Sequence, residues 1–267
     1  MKLVDYHMHS KYSFDAETPV EDICEAAIRA GLDEIAITDH MDIFSDKPYG
    51  HIMDCDAAYE EITKYRDMYA GKLKVLSGVE LGQPQANPKE AKAFLEKYNL
   101  DFIIGSIHNI ENDVDCYDFD YTKVDYHAVY DSYMNYQLEM AKNYDFDVMG
   151  HVTYPSRYVY ERTGVNVDYS LYMERYEQLF KILIERGKGI ELNLSGIARK
   201  CGDVMPTMDL LKFYRELGGE IVTIGSDAHV SSQVGIVSRE GVERLKAAGF
   251  KYYTLFEGRK AVMEKLD

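Results

Sequence analysis

Histidines and carboxylates recur along this chain directly after short apolar segments. His7 and His9 form an H-x-H pair after the first such segment, and Asp227 and His229 repeat that spacing near the other end. Side chains two residues apart on a strand project from the same face, so each pair can reach one ligand. Imidazole and carboxylate groups without thiolates suit Zn, Mn or Fe(II). The spacing therefore predicts metal chemistry.

Further candidates lie at corresponding places in other segments. Six of the eight histidines fall at predicted strand ends, whereas His51 and His127 lie in a predicted loop and a helical pattern. A single strand-end histidine is more often a hydrogen-bonding residue than a ligand, so the prediction depends on the whole set. These residues are too many for one ion, and we expect two or three metals. The set comprises His7, His9, Asp39, His40, Glu80, His108, His151, Asp227 and His229.

The segments that carry these residues alternate with helical patterns. Seven segments predict strands, over residues 2–7, 34–38, 74–79, 101–107, 147–150, 189–194 and 220–225, with a weaker eighth at 251–255. The first helix is predicted to begin at Thr18-Pro19, with Thr18 as N-cap and Pro19 as first helical residue, and to end at Gly31. Other boundaries are predicted at Asn87-Pro88, Gly187 and Gly218.

Seven or eight β-α units in 267 residues predict an α/β fold with a mostly parallel sheet closed into a barrel. The alternative is an open doubly wound sheet, which would normally carry a glycine-rich phosphate loop after its first strand. Here that place holds His7-Met8-His9-Ser10. In a barrel all strand carboxyl ends open on one face, so the candidate ligands would meet there. Without a linker or repeat, residues 1–267 are expected to form one domain.

The composition restricts the partners. The chain has 30 basic and 46 acidic residues, a formal net charge of -16, which disfavours nucleic acid and anionic membranes. No apolar run approaches the roughly 18 residues of a membrane span, and the first segment is too short for a signal peptide, so a cytoplasmic protein is expected. Four cysteines without a C-x-x-C pair predict reduced thiols: Cys24, Cys55, Cys116 and Cys201.

The sequence around the candidate ligands resembles the polymerase and histidinol phosphatase (PHP) family over nearly its whole length. The similar motifs are Asp5-Tyr6-His7-Met8-His9-Ser10, Thr38-Asp39-His40, Gly78-Val79-Glu80, Ser106-Ile107-His108, Gly150-His151 and Gly225-Ser226-Asp227-Ala228-His229. The resemblance implies a distorted (β/α)7 barrel and a cluster of divalent metals, Zn, Mn or Fe. It implies one metal at His7, His9, Glu80 and Asp227. Glu80 would bridge to a second metal at His108 and His151.

The resemblance also implies a third metal, at His40 and His229. Many family members have a histidine where this chain has Asp15. An aspartate can still ligate, so Asp15 is included in this third site. Asp227 and His229 are the expected catalytic residues, with Asp227 or a nearby histidine carrying protons.

Within the family, the likeness is greatest to stand-alone enzymes that hydrolyse L-histidinol phosphate to L-histidinol and phosphate in histidine biosynthesis. It rests on segments 150–157 and 191–199, and it implies that Arg157, Arg199 and Ser195 bind the phosphate. A small phosphate monoester is the expected substrate. A rim of loop aspartates would favour a cationic substrate, and the candidates are Asp42, Asp46 and Asp113.

Two other functions remain open at this point. A related hydrolase could act on nucleotides or single-stranded DNA ends, although the net charge argues against a DNA groove. A metal-binding module without turnover would have no need for the two arginines. The sequence does not predict an oligomeric state.

Overall fold

The computed structural model describes residues 1–45 and 54–266. All seven confidently predicted strands are present in it. In chain order the strands are β1 (Val4–Asp5), β2 (Glu34–Ile37), β3 (His40–Asp42), β4 (Lys74–Gly82), β5 (Phe102–Ser106), β6 (Asn109–Ile110), β7 (Val114–Asp115), β8 (Val148–Met149), β9 (Gly189–Asn193), β10 (Val222–Gly225), β11 (Tyr252–Glu257) and β12 (Lys260–Lys265).

Seven of these strands follow one another in one parallel sheet in the order β1-β2-β4-β5-β8-β9-β10, and β3 pairs with β4 as an eighth strand. The two outer strands approach each other, because the Tyr6 N–H donates to the Ile224 carbonyl at 2.9 Å and Met8 bridges to Ala228. The sheet is therefore a nearly closed barrel. This confirms the predicted distorted (β/α)7 barrel and excludes the open doubly wound sheet.

Eight α-helices connect or flank the strands. They are α1 (Val20–Ala30), α2 (Cys55–Met68), α3 (Pro88–Lys97), α4 (Tyr126–Asn143), α5 (Tyr154–Thr163), α6 (Met173–Glu185), α7 (Met208–Glu216) and α8 (Ser238–Ala247) within the described residues. Short 3-10 turns cover Pro84–Ala86, Glu111–Asp113, Tyr169–Tyr172, Ser195–Ala198 and Ser231–Gln233.

The predicted helix boundaries are mostly confirmed. Gly31 ends α1 in the left-handed region at φ 74°, and the Asn87 side chain caps α3 by accepting the Glu90 N–H. The start of α1 is a correction, because Pro19 and not Thr18 occupies the N-cap position, without a side-chain cap. Left-handed glycines follow α6 and α7 as predicted, at Gly187 and Gly218.

The C-terminal pair of strands lies outside the barrel. The weaker predicted strand is present as β11, but it pairs antiparallel with β12, which the sequence did not predict. Gly258 and Arg259 both have positive φ, the conformation that joins antiparallel strands through a two-residue turn. The Phe256 N–H donates to the Tyr6 hydroxyl at 3.0 Å, so this hairpin packs against the start of the barrel.

The barrel core is apolar and its two ends differ. Strands β2 and β10 are buried along their whole length, as expected for parallel strands covered on both faces. A cleft of about 600 Å³ at the amino ends of the strands includes Lys2, Glu34 and Lys74, but none of the predicted site residues. Among the described residues, no helix is both long and apolar enough to cross a membrane.

Candidate metal centre

The first pair of histidines meets two carboxylates from distant strands. Both imidazoles follow β1 and are buried. His7 Nε2 lies 3.3 Å from Glu80 Oε2 and 3.7 Å from Asp227 Oδ1. His9 Nε2 lies 3.3 Å from Asp227 Oδ1 and 3.7 Å from Glu80 Oε2. The structure therefore brings together the four residues predicted for the first metal.

Glu80 lies between two groups of histidines. It belongs to β4, which pairs with β5 in a register that places it opposite Ile104. Its Oε1 atom lies 3.1 Å from His108 Nε2 and 2.8 Å from His151 Nε2, and it accepts a hydrogen bond from the Ser106 hydroxyl. One carboxylate thus faces His7 and His9 with one oxygen and these two histidines with the other, which is the geometry of a bridging ligand.

The residues predicted for a third metal also lie close together. His229 Nε2 is 2.9 Å from Asp15 Oδ2, and His40 Nε2 is 3.7 Å from the same oxygen. His40 faces a second direction as well, because its Nδ1 lies 3.0 Å from Glu80 Oε2. His40 therefore stands between Asp15 of the predicted third site and the bridging carboxylate of Glu80.

Potential ligand atoms within 4.8 Å of one another define three triads in the described chain. They are His7-His9-Asp227, His9-His40-His229 and His40-Glu80-His108. The first matches the predicted grouping. The other two share His9 and His40 across the predicted sites, so the seven residues of the triads form one continuous cluster.

Several buried atoms of this cluster lack a hydrogen-bond partner among the described residues. They are His7 Nε2, His9 Nε2, His40 Nδ1, His151 Nδ1 and Glu80 Oε2. A buried polar atom without a partner costs about 1–3 kcal/mol, and native proteins contain few of them. Divalent cations would use the lone pairs of the unpartnered atoms that face the carboxylates, so the residues present fit a metal centre.

Burial and mutual charge set the ionisation of the cluster. Burial alone would raise the pKa of Glu80, but His108, His7 and His40 hold it well below the ordinary value. Burial, with the nearby His40 and His229, lowers the pKa of His9 to about 3. His9 is therefore a neutral imidazole and Glu80 is a carboxylate, the forms that bind a metal. Against the effect of burial, neighbouring carboxylates raise the pKa of His7 and His108, so a metal bound there would displace their protons.

Glu191 is a functional residue that the sequence reasoning missed. It is fully buried in β9. Its Oε1 lies 2.6 Å from His7 Nδ1, and its Oε2 accepts the His151 backbone N–H at 2.9 Å. The carboxylate thus fixes the orientation of His7 and leaves Nε2 free to face the cluster. The signal that could have revealed it is a glutamate within the apolar strand Gly189–Asn193.

Two aspartates have places that differ from those expected. Asp42 is not on an exposed rim: it is buried at the cavity floor, where Oδ1 lies 2.8 Å from His108 Nδ1. Asp39 was a candidate ligand, but its carboxylate faces away from the cluster and accepts hydrogen bonds from Ser10 and Ser13.

The turn that carries Asp227 is fixed to the first strand. Asp227 has a φ of 55°, and its N–H donates to the His7 carbonyl at 2.8 Å. The buried Asp5 carboxylate accepts the N–H groups of Ser226 and Gly235. These bonds close the barrel seam and bring Asp227 beside the two histidines of β1.

A cavity of about 360 Å³ opens above the cluster. Beside the candidate ligands, its lining includes Arg157, Arg199, Tyr154 and Tyr158. The Arg157 guanidinium is buried, donates to the Ser195 hydroxyl at 3.3 Å and lies 3.9 Å from Asp227 Oδ2. Arg199 is more exposed, with its side chain 42% accessible.

Ser195, expected to contact phosphate, is connected to this cavity through Arg157 and does not itself line it. Its hydroxyl donates to Asn193 Oδ1 at 2.7 Å. Of the other expected rim residues, Asp113 instead accepts hydrogen bonds from Ser45, away from the cavity lining. Asp46 lies outside the described residues.

The structure describes one of the two remaining histidines. His127 is half-buried on α4, with Nδ1 3.0 Å from the Tyr172 hydroxyl, as predicted for a residue outside the site. His51 lies outside the described residues.

Comparisons with known proteins agree with this geometry. The PHP domain profile matches residues 5–195. A probable histidinol-phosphatase from Clostridium acetobutylicum is 30% identical over 92% of this chain and 94% of its own length. A histidinol-phosphatase from Lactococcus lactis is 29% identical over 97% of this chain and 96% of its own length.

Two solved structures share the fold. The crystal structure of the Lactococcus lactis histidinol phosphate phosphatase with zinc, L-histidinol and phosphate has a TM-score of 0.86 at 24% identity, covering 98% of this chain and 99% of that one. That of a putative histidinol phosphatase from Listeria monocytogenes has a TM-score of 0.77 at 18% identity, covering 89% and 99%.

Proposed function

This chain belongs to the PHP domain family, and on that basis we propose that it is a metal-dependent phosphatase that hydrolyses L-histidinol phosphate to L-histidinol and phosphate. The observation that carries the proposal is a cluster of unpartnered imidazole and carboxylate atoms beneath a cavity bordered by two arginines. The names of the relatives support the substrate and its place in histidine biosynthesis. We place the activity in one cytoplasmic domain, residues 1–267.

We assign the metals as the family resemblance implies. His7, His9, Glu80 and Asp227 would hold one, His108 and His151 a second that shares Glu80, and His40, His229 and Asp15 a third. Zn, Mn and Fe(II) fit nitrogen and oxygen ligands, and zinc is the metal in the Lactococcus lactis structure. When bound, such ions lower the pKa of water and neutralise phosphoryl oxygens.

The two arginines bind the phosphate in this proposal. Arg157 is held in one orientation, because its guanidinium donates to the Tyr158 hydroxyl at 2.5 Å and to Ser195 and lies over the Tyr154 and Tyr158 rings. A fixed guanidinium loses little entropy when it contacts two phosphate oxygens. Arg199, the more exposed arginine of the cavity lining, supplies a second cation.

Proton transfer to the leaving oxygen is assigned to Asp227. Its Oδ2 atom faces Arg157 in the cavity, whereas its Oδ1 faces His9. His229 lies beside it, with Nδ1 2.9 Å from the Asp227 carbonyl, and is partly exposed to the cavity. Both residues belong to the cluster and line the cavity that a leaving alcohol would occupy, which supports this assignment.

Nucleotides and single-stranded DNA ends are the less favoured substrates. The net charge of -16 repels a polyanion, and the cavity of about 360 Å³ suits a small molecule. A module without turnover is disfavoured by the fixed Arg157 beside the cluster.

Phosphate release from a panel of metabolite monoesters tests the proposal. We expect L-histidinol phosphate to give the highest kcat/KM with metal-loaded protein, and nucleoside monophosphates to be at least tenfold poorer. Asp227→Asn should remove the activity, whereas Asp67→Asn on the exposed face of α2 should not. Comparable rates on unrelated monoesters would contradict the narrow substrate assignment, and no release from any ester would contradict a phosphatase.

A further inference from the structure

Resting on the proposed phosphatase function, we propose that Asp115 determines specificity by binding a protonated amine on the leaving group of the substrate. Asp115 ends the short strand β7 and lines the same cavity as the metal cluster and the two arginines. The cavity would then accept a monoester with an anionic phosphate at one end and a cation at the other.

Among the described residues, no lysine or arginine forms an ion pair with the carboxylate of Asp115. Its hydrogen bonds come from the Tyr117 N–H at 2.7 Å and the Tyr154 hydroxyl at 3.5 Å. Both donors are neutral. A half-buried carboxylate with neutral partners retains its attraction for a ligand cation, and it repels a carboxylate or a second phosphate.

Asp115 and Arg157 stand at opposite ends of a hydrogen-bonded chain. Arg157 donates to the Tyr158 hydroxyl, which donates to the Tyr154 hydroxyl at 3.1 Å, which in turn donates to Asp115. Two tyrosine hydroxyls therefore lie between the guanidinium proposed to bind phosphate and the Asp115 carboxylate. The chain therefore places a guanidinium and a carboxylate along one wall of the cavity.

The segment that carries Asp115 is anchored, so its position is set before the substrate arrives. Arg162 on α5 donates to the backbone carbonyls of Tyr117 and Phe119. Its guanidinium also lies 5.1 Å from the centre of the Tyr117 ring. A fixed wall lowers the entropy cost of binding. It also means that the carboxylate favours substrates whose cationic group lies at one particular position relative to the phosphate. The exposed ring of Tyr117 borders the same space and can cover a flat leaving group.

Matched pairs of esters test this inference. The pairs are L-histidinol phosphate against its N-acetyl derivative, and 2-aminoethyl phosphate against ethyl phosphate. The wild-type protein should prefer the amine in each pair. Asp115→Asn should reduce the ratio of kcat/KM within each pair by ~10-fold to ~100-fold, the range of a charge-assisted hydrogen bond. Asp115→Glu should retain the preference, and Asp118→Asn, exposed in the same segment, should not change the ratio.

Two results would overturn the inference while leaving the phosphatase assignment intact. One is a wild-type protein without preference for the amine. The other is an Asp115→Asn variant that loses the same factor on both members of a pair. If no ester is hydrolysed, the phosphatase assignment fails. The affinity for L-histidinol, measured by calorimetry, then decides the role of Asp115. Weaker binding to Asp115→Asn than to the wild-type protein supports the inference, and equal binding overturns it.

Discussion

The sharpest consequence of the site geometry concerns Glu191, whose two oxygens have different partners. Oε1 faces His7 Nδ1, and Oε2 accepts the His151 backbone N–H and the Asn193 amide. Glu191→Gln keeps the shape but leaves only one acceptor. If the amide oxygen of the variant side chain faces His7, the amide NH2 group faces two other donors, the His151 N–H and the Asn193 amide. If it faces His151, the NH2 group drives the His7 proton to Nε2, the atom that faces Glu80 and Asp227.

The first orientation leaves buried donors unpaired, which costs about 1–3 kcal/mol, and the second protonates the His7 nitrogen that a metal would use. We expect metal affinity to fall by about 5-fold to about 150-fold, since about 1.4 kcal/mol is a factor of ten. The assay is metal content by elemental analysis after dialysis against graded chelator, with thermal unfolding in parallel. Glu174→Gln on the exposed face of α6 is the control. A Glu191→Gln variant that retains metal and melts like wild type would refute the reasoning.

Three further outcomes follow from the structure. Removal of metal by a chelator should abolish phosphate release and lower the melting temperature, and Zn or Mn should restore both; activity that survives complete removal would contradict a metal centre. Asp227→Asn should lower kcat by at least ~100-fold, whereas Arg199→Ala should mainly raise KM, by ~10-fold, and steady-state kinetics would separate the two effects. Gly225→Ala would place a Cβ 2.3 Å from Glu191 Oε1 and 2.5 Å from His7 Cβ. We therefore expect the free energy of unfolding in denaturant to fall by about 1–3 kcal/mol and, if the strand shifts, metal to be lost. Unchanged stability would show that the strand accommodates the methyl group without cost.

Predictions from sequence worked where a local pattern carries the information. The seven barrel strands are apolar segments followed by polar residues. Because the strands are parallel, these polar residues all lie at the carboxyl end of the barrel, whatever the register between neighbouring strands. His7, Glu80, His108 and Asp227 could therefore be assigned to one site before any coordinates were known. The α3 cap at Asn87 is equally local, since one side chain satisfies an N–H three residues away.

The sequence reasoning failed where position depends on packing. Strands of two residues, such as β6 and β7, are too short to show a period, so the hairpin that presents Asp115 was not predicted. Asp42 was placed on an exposed rim because loop aspartates usually are exposed. In the fold, β3 pairs with β4, and this pairing buries Asp42 beneath His108.

The order of residue types along this chain determined the barrel and the identity of the residues that gather at its carboxyl end, because both depend on alternation between strands and helices. Only the tertiary structure decided which oxygen of Glu80 faces which histidine, that Glu191 orients His7, and that Asp115 shares a cavity with Arg157. Those relations join residues that are far apart in the chain. They are fixed by strand register, side-chain rotamers and the closure of the seam at Asp5, none of which leaves a periodic trace in the sequence.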